Sequence, residues 1–273
     1  MSAPRKVMLI TGASGGIGAD LARVAAAKGH DLALVARNRA ALDALADEIA
    51  AAPGQKAQRP LVFDCDLSRA NAPAAIEAFL EQSGADVEIL VNNAAYGMLD
   101  AALDGDMAEQ LGMIDLNVRA LTELSLRFGK TLARNRGRLL NVASVAAFMP
   151  GPGMAVYYAS KAYVLSFSEA LSAELAPLGV SVTALCPGPV ATGFQARAGF
   201  PRRMTNGMRH IALPPSEVAR AGYNGMMAGK RVVLPGMATR ITAWSAPFLP
   251  KGWSLRLISS LQMRRKWKEG AGK

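Results

Sequence analysis

Three residues could handle a proton together: Ser144, Tyr157 and Lys161. Side chains four apart share one helix face, so the Lys161 ammonium is expected one turn from the Tyr157 phenol. A phenol with an ordinary pKa of about 10 is a poor base at neutral pH, and a nearby ammonium favours its phenolate. Ser144 follows an apolar run and can hydrogen-bond a substrate oxygen as charge develops on it. The chemistry implied is proton transfer to and from a carbonyl or alcohol oxygen. Taken singly, each also reads as structural: an exposed Tyr–Lys pair on a helix and a serine on a loop.

Far upstream, Thr11-Gly12-Ala13-Ser14-Gly15-Gly16-Ile17-Gly18 follows a short apolar run and opens an Ala-rich helical pattern. Gly12 permits a tight turn, Gly16 lets backbone approach a pyrophosphate, and Gly18 allows a helix to pack closely on a sheet. The helix start would then offer free N–H groups to phosphates. A purely structural turn is the competing interpretation. At the end of the second apolar run, where an NAD site wants a carboxylate, stands Ala36, followed by Arg37 and Arg39. A guanidinium can pair with a 2′-phosphate, and Ser14 can add a hydroxyl, so NADP(H) is preferred over NAD(H). The alternative is that both arginines are a solvated helix start.

These groups need a scaffold that brings distant segments together. Strand-like runs at 7–11, 31–36, 61–64, 89–92, 138–143, 180–186 and 231–234 alternate with helical patterns near 16–28, 39–51, 72–82, 107–134, 156–176 and 216–228. Near-continuous apolar strands alternating with helices predict a parallel sheet covered on both faces, doubly wound and Rossmann-like, with seven strands and a C-terminal helical extension. Residues 1–236 are expected to form the dinucleotide-binding catalytic domain, and 237–273 a basic amphipathic extension of it. Hydrophobic residues make up 51% of the 273 and charged residues 19%, which supports a large core rather than disorder. Cys65 and Cys186 end apolar runs without metal-like spacing, so both are expected as buried free thiols in a reducing compartment. No apolar stretch is long enough for a signal peptide or a membrane span, and a cytoplasmic protein is expected. The net charge of +10 is uneven: residues 230–273 hold ten Lys/Arg against Glu269 alone.

Taken with Asn92-Asn93-Ala94-Ala95, Leu116-Asn117-Val118 and Pro187-Gly188-Pro189-Val190-Ala191-Thr192, these motifs resemble the short-chain dehydrogenase/reductase family over roughly residues 5–235. The resemblance implies hydride transfer between a nicotinamide and a ketone, aldehyde or secondary alcohol. It implies Tyr157 as the acid, Lys161 as holder of the nicotinamide ribose and modifier of the phenol, and Asn117 as a helix kink that anchors a relay water. It places Gly12, Ser14, Gly15, Gly16, Ile17 and Gly18 around the pyrophosphate and adenosine ribose, beside Arg37. Asp66 and Leu67 would border the adenine, and Asn93 and Ala94 its ribose. Pro187, Gly188, Val190 and Thr192 would seat the carboxamide end. Two departures stand out: Ala95 replaces a usual glycine, and the chain continues well past the last strand. A non-catalytic dinucleotide-binding regulator is the rival reading.

Between Thr192 and Pro214, Phe194, Phe200, Met204 and Met208 suit an apolar lid over the substrate. Arg197, Arg202, Arg203 and Arg209 suit an acidic group on it or simple solvation. His210 and His30 read as packing or surface residues. In the tail, Pro247 and Pro250 separate two helix-like pieces in which apolar side chains interleave with Arg and Lys. Three roles compete for it: a cover over the substrate mouth, a contact in a homodimer or tetramer, or a peripheral anchor on an anionic membrane. No nucleic-acid recognition motif accompanies the charge.

Overall fold

The computed structural model describes residues 4–52, 58–208 and 211–262. The chain opens with β1 (Arg5–Thr11), α1 (Gly16–Ala27), β2 (Asp31–Ala36), α2 (Arg39–Ala50), β3 (Leu61–Asp64) and α3 (Ala72–Gln82). It continues through β4 (Ala85–Asn92), α4 (Met107–Ile114), a π-helical segment (Asp115–Ala120), α5 (Leu121–Asn135), β5 (Arg138–Val142) and α6 (Ala155–Leu175). After β6 (Ser181–Leu185) come two short helices, α7 (Phe194–Arg197) and α8 (Arg202–Met208), then α9 (Pro215–Met227) and β7 (Val232–Val233). The tail forms α10 (Met237–Ser245) and α11 (Lys251–Gln262), with a 3-10 turn at Ala246–Phe248 between them.

All seven strands are parallel, in the order β3-β2-β1-β4-β5-β6-β7. The expected doubly wound sheet is what forms. Strand side chains alternate between two buried layers, which explains why the runs read as continuously apolar. Met8 and Ile10 pack under α1, α2 and α9 with Leu21, Leu42 and Met226, whereas Val7 and Leu9 pack under α3, α5 and α6 with Ile76, Leu124 and Leu171. The β1–β4 register slips between Val7 and Met8, so that Val7 faces Val87 and Met8 faces Ile89. Glu88 is the extra residue, and this bulge keeps Val87 and Leu90 in one layer and Ile89 and Val91 in the other. The Glu88 carbonyl abuts Gly137, where any Cβ would collide with it.

Several boundaries differ from the sequence expectation. The long pattern at 107–134 is interrupted by the π segment around Asn117. β4 begins four residues earlier than its apolar core, because Ala85 and Asp86 pair with Arg5 and Lys6 despite their polarity. β7 is reduced to two residues paired with Ala184 and Leu185. Cys186 is buried, but Cys65 is only half-buried, because it sits beyond the end of β3 where the strands open onto a cleft. His30 Nε2 lies 2.8 Å from the Tyr223 hydroxyl, a packing role that ties the α1–β2 turn to α9. No helix among the described residues is long and apolar enough to cross a membrane.

One buried polar chain crosses the middle of the sheet. Asn92 Nδ2 donates to Asn141 Oδ1 (3.0 Å) and Ser125 Oγ (3.0 Å), and Asn141 Nδ2 donates to Ser168 Oγ (2.9 Å). It joins β4 and β5 to the two helices that cover them. Replacing Asn141 by Leu takes one partner from the Asn92 amide, which keeps Ser125, and one from the Ser168 hydroxyl, which keeps the Val164 carbonyl, and the two losses together cost on the order of 1–3 kcal/mol in a dry layer. Asn141→Leu is therefore expected to lose about 1–3 kcal/mol in urea unfolding. A change below about 0.5 kcal/mol would show that the chain does not hold the sheet to its helices.

Candidate active site

The loops that follow β1 to β6 open on one edge of the sheet, the carboxyl edge. Strand order reverses between β1 and β4, and in open α/β sheets ligands bind in the crevice there. A cleft of about 800 Å³ occupies this edge. Gly12, Ser14, Gly15, Gly16 and Ile17 line it from the first loop, Arg37 from the second, Asp66 and Leu67 from the third, and Asn93 and Ala94 from the fourth. Ser144, Tyr157 and Lys161 line it from β5 and α6, and Pro187, Gly188, Val190 and Thr192 from the loop after β6. Gly18 and Asn117 lie one layer behind the lining.

The first loop is shaped for close approach. Gly12 has φ +66°, and a Cβ on it would stand 2.8 Å from Asn93 Nδ2. Gly18 abuts the Gly12 carbonyl, so any side chain there would push the turn off the helix. Gly16, at φ +55°, faces the Thr192 methyl, at 3.1 Å from where a Cβ would be, which brings the first and sixth loops together. Asn93 Nδ2 pins the turn by donating to the Thr11 carbonyl at 2.9 Å. At its N-terminus α1 has Gly15, which offers no side-chain cap, whereas α2 and α4 are capped by Asn38 and Asp106. The first-turn N–H groups of α1 are thus left without a side-chain acceptor beside an open cleft, the arrangement that suits an anion.

The two arginines separate. Arg39 is held by Asp43 (2.7 Å) and Asp64 (3.3 Å), so it behaves as a solvated helix start. Arg37 makes no ion pair among the described residues and faces the cleft. Across from it, Arg197 of α7 stacks on the Tyr96 ring at 4.8 Å. Partial burial, followed by repulsion from Arg37, lowers the Arg197 pKa, a cost that an anion between the two guanidiniums would relieve. Arg202 and Arg203 are exposed, and Arg209 and His210 lie outside the described residues.

At the other end, Lys161 is buried, and its Nζ donates to the Val142 carbonyl at 2.8 Å and lies 5.9 Å from the centre of the Tyr157 ring. Burial pushes the Lys161 pKa down to about 8. It also pushes the Tyr157 phenol up to about 12, against the pull of the neighbouring Ser144 hydroxyl. Ser144 Oγ also accepts from Ala146 N (3.1 Å), which orients the loop after β5. Asn117 Nδ2 donates to the Tyr96 carbonyl (2.9 Å) and to Ser160 Oγ (3.1 Å), and its Oδ1 accepts from Tyr96 N (3.1 Å). Ser160 Oγ in turn donates to the Tyr157 carbonyl at 2.7 Å. The π segment is thereby tied to the helical turn that carries the phenol.

Two contributors to the cleft, and one residue packed behind it, have no role in the sequence reading. Tyr158 packs on Gly151, its hydroxyl accepts from Gln262 Nε2 at 2.9 Å, and both residues line the cleft. Thr239 of α10 fills the space beside Gly188, at 2.6 Å from where a Cβ would be. Of the expected lid, Phe194 and Phe200 line the cleft, and the Phe194 ring lies 5.3 Å from that of Tyr157.

Comparison with known proteins gives this geometry its context. The short chain dehydrogenase family profile matches residues 6–200. A galactitol 2-dehydrogenase (L-tagatose-forming) from Cereibacter sphaeroides is 39% identical over 186 residues, covering 67% of this chain and 70% of its own. A short-chain dehydrogenase from Sphingobium yanoikuyae, solved in complex with NADPH, superposes with a TM-score of 0.77 at 33% identity, covering 89% of this chain and 93% of its own. The bulky-bulky ketone specific alcohol dehydrogenase from Comamonas testosteroni gives 0.73 at 29% identity, covering 90% and 93%. With a parallel sheet, a glycine turn and a Ser–Tyr–Lys cluster on one edge, and a family match over most of its length, the chain is an oxidoreductase that belongs to the short-chain dehydrogenase/reductase family.

Proposed function

We propose that this chain is an NADP(H)-preferring carbonyl reductase or alcohol dehydrogenase for hydrophobic ketones, aldehydes or secondary alcohols, with Tyr157 as the acid–base group. The observation that carries it is the convergence of the Ser144 hydroxyl, the Tyr157 phenol and the Lys161 ammonium in the cleft that also holds the glycine turn. A protein that only senses a dinucleotide has no use for a buried lysine beside a phenol, so the regulatory alternative is not favoured.

When bound, a nicotinamide supplies the hydride. The groups that would hold its dinucleotide are the α1 N-terminus with Gly12 to Gly18, Arg37, Asp66 and Leu67, Asn93 and Ala94, and Pro187 to Thr192. In the reducing direction, Tyr157 donates its phenolic proton to the carbonyl oxygen while Ser144 donates a hydrogen bond to the same oxygen. Lys161 would hold ribose hydroxyls and stabilise the phenolate that Tyr157 becomes. With its phenol at about 12, the free site is loaded as an acid at neutral pH. Oxidation needs the opposite, a phenolate, which only a charged Lys161 favours. Because the Asn117 side-chain amide is committed to Tyr96 and Ser160, its supported role is to position Tyr157 from behind; a relay water would have to use its free oxygen lone pair or main-chain oxygens. The solved NADPH complex of a relative, together with Arg37 and Arg197 facing one another, supports the cofactor preference. Phe194, Phe200, Met154 and Tyr158 around the substrate end support an apolar substrate, as does the likeness to a bulky-ketone dehydrogenase.

Three measurements test this reading. Tyr157→Phe should reduce ketone turnover by roughly 10²–10⁴-fold with NADPH affinity unchanged; survival of turnover would remove Tyr157 as the acid. Arg37→Ala should weaken NADPH by on the order of tenfold or more, through loss of a charge-assisted contact, and leave NADH within about twofold. Equal losses for both cofactors would dismiss the 2′-phosphate assignment. The third concerns stability. A lysine whose folded pKa of about 8 lies below its ordinary 10.5 destabilises the fold fully at pH below 8, and the penalty fades as pH rises towards 10.5. At pH 7 this is on the order of 3 kcal/mol, partly offset by the bond to Val142. Lys161→Met is therefore expected to raise the melting temperature of the cofactor-free protein at pH 7 while abolishing turnover. A lowered melting temperature would mean that the ammonium is a net stabiliser.

A further inference from the structure

The first tail helix, α10, is amphipathic in the wrong sense for a protein that ends its contacts with itself. α10 turns its small residues Thr239 and Ala243 inward and its large apolar ones outward. Met237, Ile241, Trp244 and Phe248 follow one another at intervals of four, three and four, a single stripe along α10 and the 3-10 turn, and all four are exposed. Trp244 is 74% and Phe248 84% accessible, and Trp253, on α11, is 71% accessible. Isolated exposed apolar residues are ordinary, but an aligned run of large aromatic ones marks a surface that something else covers.

Charge selects what covers it. Residues 237–262 contain no Asp or Glu, and Arg240, Lys251 and Arg256 stand exposed on the same two helices. The sequence adds Arg264, Arg265, Lys266 and Lys268 against Glu269. A twofold contact between copies through this face would bring cations against cations, with no acid on either helix to pair them. Residues 1–229 are nearly neutral overall, with 21 Lys and Arg against 20 Asp and Glu. An anionic bilayer supplies the missing partner: headgroups attract each surface Lys or Arg by about 1 kcal/mol, and tryptophan settles at the headgroup level. With no membrane-spanning helix among the described residues, the contact would lie in the plane of the interface.

We infer that α10 and α11 form a docking surface for an anionic phospholipid bilayer, with Trp244, Phe248 and Trp253 entering the interface and Arg240, Lys251 and Arg256 meeting the headgroups. The inference stands on the tail alone and does not depend on the reaction assigned to the cleft.

The test uses the full-length protein and vesicles of phosphatidylcholine with or without phosphatidylglycerol. Flotation with the anionic vesicles at low salt, loss on the neutral ones, and weakening by added salt are expected. All three tryptophans of the chain lie in the tail, so their emission should shift to the blue and be quenched by brominated acyl chains. A Trp244→Glu, Phe248→Glu, Trp253→Glu variant should bind at least about tenfold more weakly, given the apolar area withdrawn from the interface, with the melting temperature unchanged. No flotation at low salt, or no emission shift, would overturn the proposal. So would a variant that floats like the parent protein, which leaves the basic residues as the sole attachment. Loss of a concentration-dependent dimer in the variant, without vesicle binding by the parent, would assign the surface to a second copy instead.

Discussion

An ammonium ion held out of water is the condition around which this molecule is arranged. Lys161 is buried, and a cation in that position tolerates burial only where its protons find acceptors. The acceptor is the carbonyl of Val142, the last residue of β5. Within a parallel sheet that carbonyl would bond to a neighbouring strand, but at the carboxyl edge it is available to a side chain. α6 must therefore cross β5 near its end, and so must everything that holds α6 there: the Asn92–Asn141–Ser168 chain beneath it and the Asn117–Ser160 link beside it. The loss in stability from burying the charge is tolerable because the same placement puts the ammonium beside a phenol.

Much of this arrangement is legible in the residues themselves. The seven strands could be located because both faces of the sheet are buried, which removes the polar alternation and leaves plain apolar runs. The glycine turn and the Ser–Tyr–Lys spacing could be placed because each depends on local geometry: a backbone torsion in one case, a helical repeat in the other. What escaped depends on contacts between segments remote in sequence. Arg37 and Arg39 are indistinguishable as letters, and only Asp43 and Asp64 decide that Arg39 is occupied and Arg37 is not. Gln262 carries no motif, and it reaches Tyr158 only because α11 folds back over the cleft. The widened turn around Asn117 is implied by the family resemblance, as a kink, but the periodicity of its helix is ordinary and carries no local signal for it. Cys65 looked like a core thiol because its strand is apolar, yet the strand ends one residue before it.

The bulge at Glu88 and the tail helices illustrate how a sequence pattern can be broken for opposite reasons. In β4 the extra residue restores burial, since without it Val87 or Ile89 would point into the wrong layer. In α10 the pattern is inverted outright: the small residues face the protein and the large ones face away. Small inward residues let α10 sit close against Gly188, and the outward aromatic stripe is then available for an external contact.

The hydrogen bond between Gln262 and Tyr158 also has a bearing on biosynthesis. Gly12 leaves the ribosome before nearly all of the sheet exists, whereas Gln262 follows it by almost the whole length of the described chain. The Tyr158 hydroxyl therefore meets this partner only after α11 has been made, so the contact is a late event in the life of each chain.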